Sequence, residues 1–256
     1  MKSIGSFAFS LAIIVLTAAF HSPPAFAEAK TLTLAIGLTL PPYNIPEIKS
    51  GMELDIVKEA LRLKGYKAIP RYVPLGQRMQ ELLNQTVDGV LTVTPDSGID
   101  AYYSAVHIVY QNVAVSLQKN HFTILTVEDL KDKSIAAFQE ATVYLGKDYA
   151  AMAKTNDRYQ EVGNQEAQVS LLYSGGADVI VMDKNIFSFF RHHYDYKNRD
   201  KNIDASQQVV IHRIFPPSPF SVVFTDKQVR DDFDNGLAEL RKSGRYDRII
   251  EKYVGR

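Results

Sequence analysis

Five side chains have the types and positions to hold a small polar molecule: Tyr43, Thr92, Thr94, Thr142 and Asp183. Asp183 closes an apolar run of Val179, Ile180, Val181 and Met182. That run is long enough for a buried strand and too short for a helix of its own. A helix-like pattern follows, with Ile186, Phe187, Phe189 and Phe190. In sheets with helical crossovers, ligands bind beyond the carboxyl ends of strands, which is where Asp183 falls. A carboxylate there holds an ammonium group or caps the next helix, and both roles stay open. Thr92 and Thr94 end another strand-like run ahead of P-D-S-G. Their hydroxyls suit a polar ligand, although β-branched residues also favour strands for their own sake. Thr142 lies in Q-E-A-T between a strand and a helix, where a hydroxyl and backbone N–H groups can meet an anion or simply cap the helix. Tyr43 follows two prolines in a stiff loop, as an aromatic wall or as a partly buried loop residue.

Other chemistry is poorly served. His192 and His193 are adjacent, and neighbours on a helix diverge by about 100°, so they make no metal pair. Asp231, Asp232, Asp234 and Gly236 hint at a calcium loop, but no acid stands at the last position of the twelve-residue pattern. There is no cysteine, no G-x-S-x-G and no phosphate-binding glycine loop. No catalytic residue, metal or cofactor is expected. Glu53 and Glu140 are the general acids that an enzymatic alternative would need.

The elements that must position these groups repeat in order. Residues 31–37 read as a strand, 38–46 as a proline-rich loop, 51–64 as a helix, 67–73 as a strand, 75–83 as a helix and 87–94 as a strand. This β-α-β-α-β order implies a parallel sheet with right-handed crossovers. Residues 108–117 form a long extended segment, and then the pattern restarts. Strands are expected at 133–138, 159–162 and 178–182, with helices at 142–153, 165–173 and 187–196. Extended residues 209–214 and 220–224 bracket P-P-S-P, and helices at 227–242 and 245–253 close the chain. The expected fold is α/β with two lobes, each a mainly parallel sheet flanked by helices, joined by two crossing strands. The first lobe takes residues 28–117 and 215–256, and the second, inserted lobe takes 118–214.

Composition sets the boundaries of function. The chain has 256 residues, 46% hydrophobic and 23% charged, which is ordinary globular composition. Lys2, an uncharged apolar run over 7–20 and an A-x-A ending at Ala27 read as a cleaved secretory leader over residues 1–27. The remaining chain carries 28 bases and 29 acids, which gives a nucleic acid nothing to bind. With no cysteine at the cleavage point no lipid anchor is expected, and a free periplasmic protein, a monomer, is expected.

Several motifs, in order, resemble the family-3 periplasmic solute-binding proteins, the polar amino acid receptors of ABC importers. They are P-P-Y at 41–43, G-M-E-L-D at 51–55, V-P-x-x-x-R at 73–78, V-E-D-L-K-D-K-S-I-A at 127–136, A-D-V-I-V-M-D at 177–183 and S-G-R-Y-D-R-I-I-E-K-Y-V-G at 243–255. The resemblance implies two lobes closing on a small polar solute, with a membrane permease as a further partner. It implies that Thr92, Thr94 and Thr142 meet a ligand's oxygens and that Asp183 meets its ammonium. The arginine the family places shortly after T-x-T falls at Ser97 here, so a carboxylate would lack its bidentate partner. An amine-bearing solute is therefore expected; a small-acid dehydratase or an orphan sensor is the alternative.

Overall fold

The computed structural model describes residues 29–94, 97–197 and 204–255; the expected leader lies outside the described residues. In the first lobe β1 (Lys30–Ile36) leads through the proline loop to α1 (Met52–Arg62), β2 (Tyr66–Tyr72), α2 (Arg78–Leu83) and β3 (Gly89–Val93). Then come two short strands, β4 (Tyr102–Tyr103) and β5 (Ile108–Tyr110), and the chain crosses over. The second lobe holds β6 (Asn112–Leu117), β7 (Ile135–Phe138), α3 (Ala141–Tyr144), α4 (Lys147–Thr155), β8 (Tyr159–Val162), α5 (Gln165–Ser174), β9 (Val179–Asp183), α6 (Lys184–Lys197) and β10 (Val209–His212). The chain returns through β11 (Ser218–Phe224) and ends in α7 (Lys227–Lys242) and α8 (Arg245–Val254).

The first sheet runs β2-β1-β3-β11-β4, with β5 also on β11; the second runs β10-β6-β9-β7-β8. Strands joined by helical crossovers pair parallel, as β1 does with β2 and β3, and β7 with β8 and β9. The crossing strands run the other way, so β11 and β6 pair antiparallel. Both sheets are therefore mixed rather than mainly parallel. The lobe division expected after residue 117 also moves. β6 pairs along its length with β9 and β10, so the sheets divide the chain at Gln111. The long extended segment is two strands in two sheets, broken where the chain changes lobes.

Local signals explain the breaks. The single helix expected over 142–153 splits at Gly146, whose φ of 91° suits glycine and ends α3 after one turn. Gly51 precedes α1 with φ 147°, and a Cβ there would meet the Tyr43 carbonyl oxygen at 2.4 Å. That close approach lets the proline loop cap α1. The Met52 amide donates to the Pro42 carbonyl at 2.7 Å, and the Glu53 amide to the Tyr43 carbonyl at 3.1 Å. The loop and the helix start thus hold Tyr43 and Glu53 side by side. Among the described residues no helix is long and apolar enough to cross a membrane.

Candidate functional site

Asp183 ends β9 at the junction of the lobes and is 4% exposed. One oxygen accepts from the Asn185 amide at 2.8 Å and the Ile186 amide at 3.1 Å, so the carboxylate caps α6. The other accepts from the Gln111 amide at 2.8 Å, at the point where the chain crosses between lobes. The Gln111 side chain in turn donates to the Phe215 carbonyl on the return crossing, at 2.9 Å. The capping role open in the sequence is therefore realised. The fourth donor to Asp183 is the Tyr43 hydroxyl from the first lobe, at 2.8 Å. Burial pushes the Asp183 carboxyl above the usual aspartate range, against the pull of these four donors.

Tyr43 was expected to be an open wall or a partly buried loop residue, and it is fully covered. Its ring stacks on Tyr110 with centroids 3.8 Å apart. The Asn185 side-chain NH₂ group donates to its hydroxyl at 3.1 Å. Tyr110 donates to Glu53 at 2.8 Å, so each of the two stacked phenols ends on a carboxylate. Burial and the facing carboxylates push both phenols well above the ordinary tyrosine range, so both are neutral donors.

Glu53, 1% exposed, collects Thr92, His107 and Tyr110. The Thr92 hydroxyl donates to one of its oxygens at 2.8 Å, and His107 Nε2 lies 2.9 Å from the same oxygen. Burial alone would raise the Glu53 carboxyl. The bond and charge of His107, with the Thr92 and Tyr110 hydroxyls, outweigh it and hold Glu53 below the usual glutamate range. A carboxyl depressed on folding stabilises fully above its unfolded value near 4.5, and that contribution is lost as pH falls through the folded value. Urea unfolding at a series of pH values should show this acid-side loss in the native chain and a flatter profile in Glu53→Gln. Equal profiles would mean that Glu53 is not the ionised group.

Thr92 adopts φ +60°, rare for a β-branched residue, at a place where the β3–β11 register shifts. Arg78, buried on α2, donates to the Leu91 and Thr92 carbonyls and braces this bulge. Beside it a cavity of about 400 Å³ opens in the first lobe. Leu38, Leu40, Glu53, Arg78, Thr92 and Tyr110 are among its walls. The strained strand end, the bracing arginine and the ionised carboxylate meet at this cavity, as strain often does at binding sites.

Two expected residues stand apart. Thr94 is exposed beyond β3, where its carbonyl accepts from the Ser97 amide at 3.1 Å. Ser97 sits at the surface with its hydroxyl 2.7 Å from that of Tyr103. Thr142 does stand at the head of a helix, but the place of an anion is filled by Glu161 from β8. The Glu161 carboxylate accepts from the Glu140 amide at 2.6 Å, the Thr142 amide at 3.2 Å and the Thr142 hydroxyl at 3.1 Å. The Tyr159 hydroxyl adds a fourth bond at 2.9 Å. Thr94 thus faces solvent, and the Thr142 amide and hydroxyl are engaged by Glu161.

Glu53, Tyr110, His107, Gln111 and Glu161 lay outside the expected binding set. For Glu53 a signal existed, since it shares the apolar stripe of Val57 and Ala60 at helical spacing, and a charge on that stripe needs partners. The acidic residues weighed as a calcium loop are engaged on α7: Asp231 pairs with Lys227 and Arg230, Asp232 accepts from Tyr66, and Asp234 accepts from the Ala105 amide.

Known proteins share this architecture. An ancestral cationic amino acid solute-binding protein superposes with a TM-score of 0.66 at 18% identity, covering 88% of this chain and 95% of that one. Substrate-binding domain 2 of GlnP from Lactococcus lactis, in its open conformation, gives 0.64 at 18% identity, covering 90% and 97%. An ancestral arginine-binding protein bound to arginine gives 0.58 at 21% identity, covering 90% and 100%. At these identities the likeness is one of fold. Among curated protein sequences none matches. Residues 32–256 match the Bacterial extracellular solute-binding proteins, family 3, and the chain belongs to that family.

Proposed function

We propose that the protein captures a small polar, amine-bearing solute between its lobes in the periplasm, for ABC-type import or sensing. The observation that carries this reading is the Tyr43–Asp183 bond. Three of the four donors on Asp183 are backbone amides fixed by the fold, and the fourth is a side-chain hydroxyl from the opposite lobe. An ammonium group can take the place of that hydroxyl and bind the same carboxylate with charge assistance. Glu53, ionised and beside the first-lobe cavity, supplies a second negative centre. Thr92 and Tyr110 hold it in place and offer polar contacts to the solute.

An α-carboxylate finds less. Ser97 stands where the family places an arginine, and Glu161 occupies the Thr142 amide and hydroxyl. Amines without an α-carboxylate therefore suit the cleft better than standard amino acids. Two of the similar structures are named for cationic amino acids, which accords with a positively charged solute. The general-acid role weighed for Glu53 does not suit a carboxyl held ionised, and Glu140 is exposed at the head of α3.

Tyr43 competes with the amine for Asp183, so removing its hydroxyl should strengthen binding. In a calorimetric screen of polyamines, amine osmolytes and amino acids, Tyr43→Phe should bind the best amine up to about tenfold more tightly, equal to about 1.4 kcal/mol. Asp183→Asn should lose it. Binding that is indifferent to both substitutions would remove Asp183 from the site. Turnover of a small carboxylic acid would replace the binding reading with an enzymatic one.

A further inference from the structure

A second charged site lies away from the ligand cleft. Helices α1 and α8 pack side by side and leave a cavity of about 500 Å³ between them. Lys58 and Arg62 line it from α1, and Arg245, Arg248 and Lys252 line it from α8. Positions 58 and 62 on α1, and 245, 248 and 252 on α8, fall at the three- and four-residue spacings that put side chains on one helix face. Among the described lining residues, Asp55 and Glu59 alone oppose these five cations.

Those two carboxylates are already engaged. Glu59 takes Arg62 at 2.6 Å and Arg245 at 3.1 Å, which ties the two helices together. Asp55 takes Lys252 at 3.1 Å and the Tyr253 hydroxyl at 2.6 Å. Arg248 and Lys58 have no carboxylate within ion-pair distance among the described residues; the Lys58 ammonium donates to the Lys49 carbonyl at 2.6 Å. Burial lowers the Lys58 ammonium from its usual range, while the nearby Asp55 carboxylate pulls the other way. The whole chain has a formal net charge of zero, so five bases against two acids is a local concentration.

We propose that this groove binds a multivalent phosphate oxyanion. The Arg248 guanidinium offers a planar fork that matches phosphate oxygens, Arg62 and Arg245 add charge beside it while they hold Glu59, and a surplus of three positive charges calls for more negative charge than one carboxylate brings. Two sources share this chemistry: a free polyphosphate and the phosphates of a lipid surface. The site is independent of the amine reading of the cleft.

Tripolyphosphate titrated into the intact protein at low salt should show one site, weakening as salt screens it. The double variant Lys58→Gln with Arg248→Gln should bind at least tenfold more weakly, while Lys147→Gln, an exposed lysine on α4, should bind as the native chain does. Cosedimentation with phosphatidylglycerol vesicles, lost in the double variant and absent with phosphatidylcholine alone, assigns the site to lipid phosphate. Tripolyphosphate binding without vesicle binding assigns it to a free oxyanion. No binding of either, or equal weakening in Lys147→Gln, overturns the proposal. So does a hexaglutamate peptide that binds with the same dependence on Lys58 and Arg248 when tripolyphosphate does not.

Discussion

Asp183→Ala should destabilise the protein by about 4 kcal/mol, out of a total that for a domain of ordinary stability is about 5–15 kcal/mol. The substitution removes one acceptor from four donors at once. The Gln111, Asn185 and Ile186 amides and the Tyr43 hydroxyl all lose their partner, the Tyr43 and Ile186 bonds being buried and the other two partly so. Each buried donor left unpaired costs about 1–3 kcal/mol, and loss of a helix cap alone costs about 1 kcal/mol. The sum is reduced because α6 and the crossing can shift to find other acceptors, and because an expensive buried charge disappears with the carboxylate. Asp183→Asn keeps one oxygen but turns an NH₂ group toward a donor, and should lose about 2 kcal/mol. Tyr43→Phe leaves all three amides satisfied and should lose only about 1 kcal/mol. Urea denaturation of the three variants tests the ranking. If Asp183→Ala cost no more than Tyr43→Phe, the carboxylate would not be holding α6 and the crossing together.

This arrangement also explains which parts of the site could be read from the residues. The position of Asp183 followed from an apolar run and the helical spacing after it, both local in the chain. Its partners did not, because Tyr43 is 140 residues away and Gln111 is 72. Glu53 and His107 are 54 apart and meet only once β5 has turned back onto β11. Thr142 shows the same limit from the other side. Its place at a helix start was legible, but the carboxylate that fills the place comes from the neighbouring strand through the β7–β8 pairing, which sets Ala137 beside Glu161. Local patterns located the groups that could bind, and long-range pairing decided which of them were already occupied.

The fold was legible to a greater depth, since the alternation of strand and helix is itself a local signal. What escaped was where strands change sheet. Residues 108–117 read as one extended run because nothing in their composition marks Gln111 as a break. The break is made by tertiary bonds, from the Gln111 amide to Asp183 and from the Lys184 amide to the Gln111 carbonyl. Two-residue β4 was beyond a periodicity argument altogether, since a strand so short shows no alternation.

Gly236→Ala is expected to destabilise by about 2 kcal/mol or more, although alanine is by far the better helix former. Gly236 lies inside α7 with helical backbone, so alanine gains about 1 kcal/mol of intrinsic propensity there. Against this, its Cβ would stand 2.1 Å from the Ala60 carbonyl oxygen and 2.9 Å from the Ala60 carbonyl carbon. Both atoms are backbone of α1, so no rotamer relieves the clash and the helices must move apart. That movement loosens Phe233, Leu237 and Leu240, buried on the same helix, from their packing in the first-lobe core. Overpacking of this kind costs about 1–3 kcal/mol, occasionally more, and a clash with a rigid helix backbone belongs at the upper end. The steric term therefore exceeds the propensity gain, and the midpoint of urea unfolding should fall. Gly163→Ala provides the contrast, because its Cβ would meet only the Gln139 side-chain oxygen at 3.1 Å, the far end of a chain that can rotate away. If Gly236→Ala were as mild as Gly163→Ala, α7 would not be seated against α1 as closely as the structure has it. The glycine weighed as part of a metal loop is then best understood as the contact that lets two helices of the first lobe touch backbone to backbone.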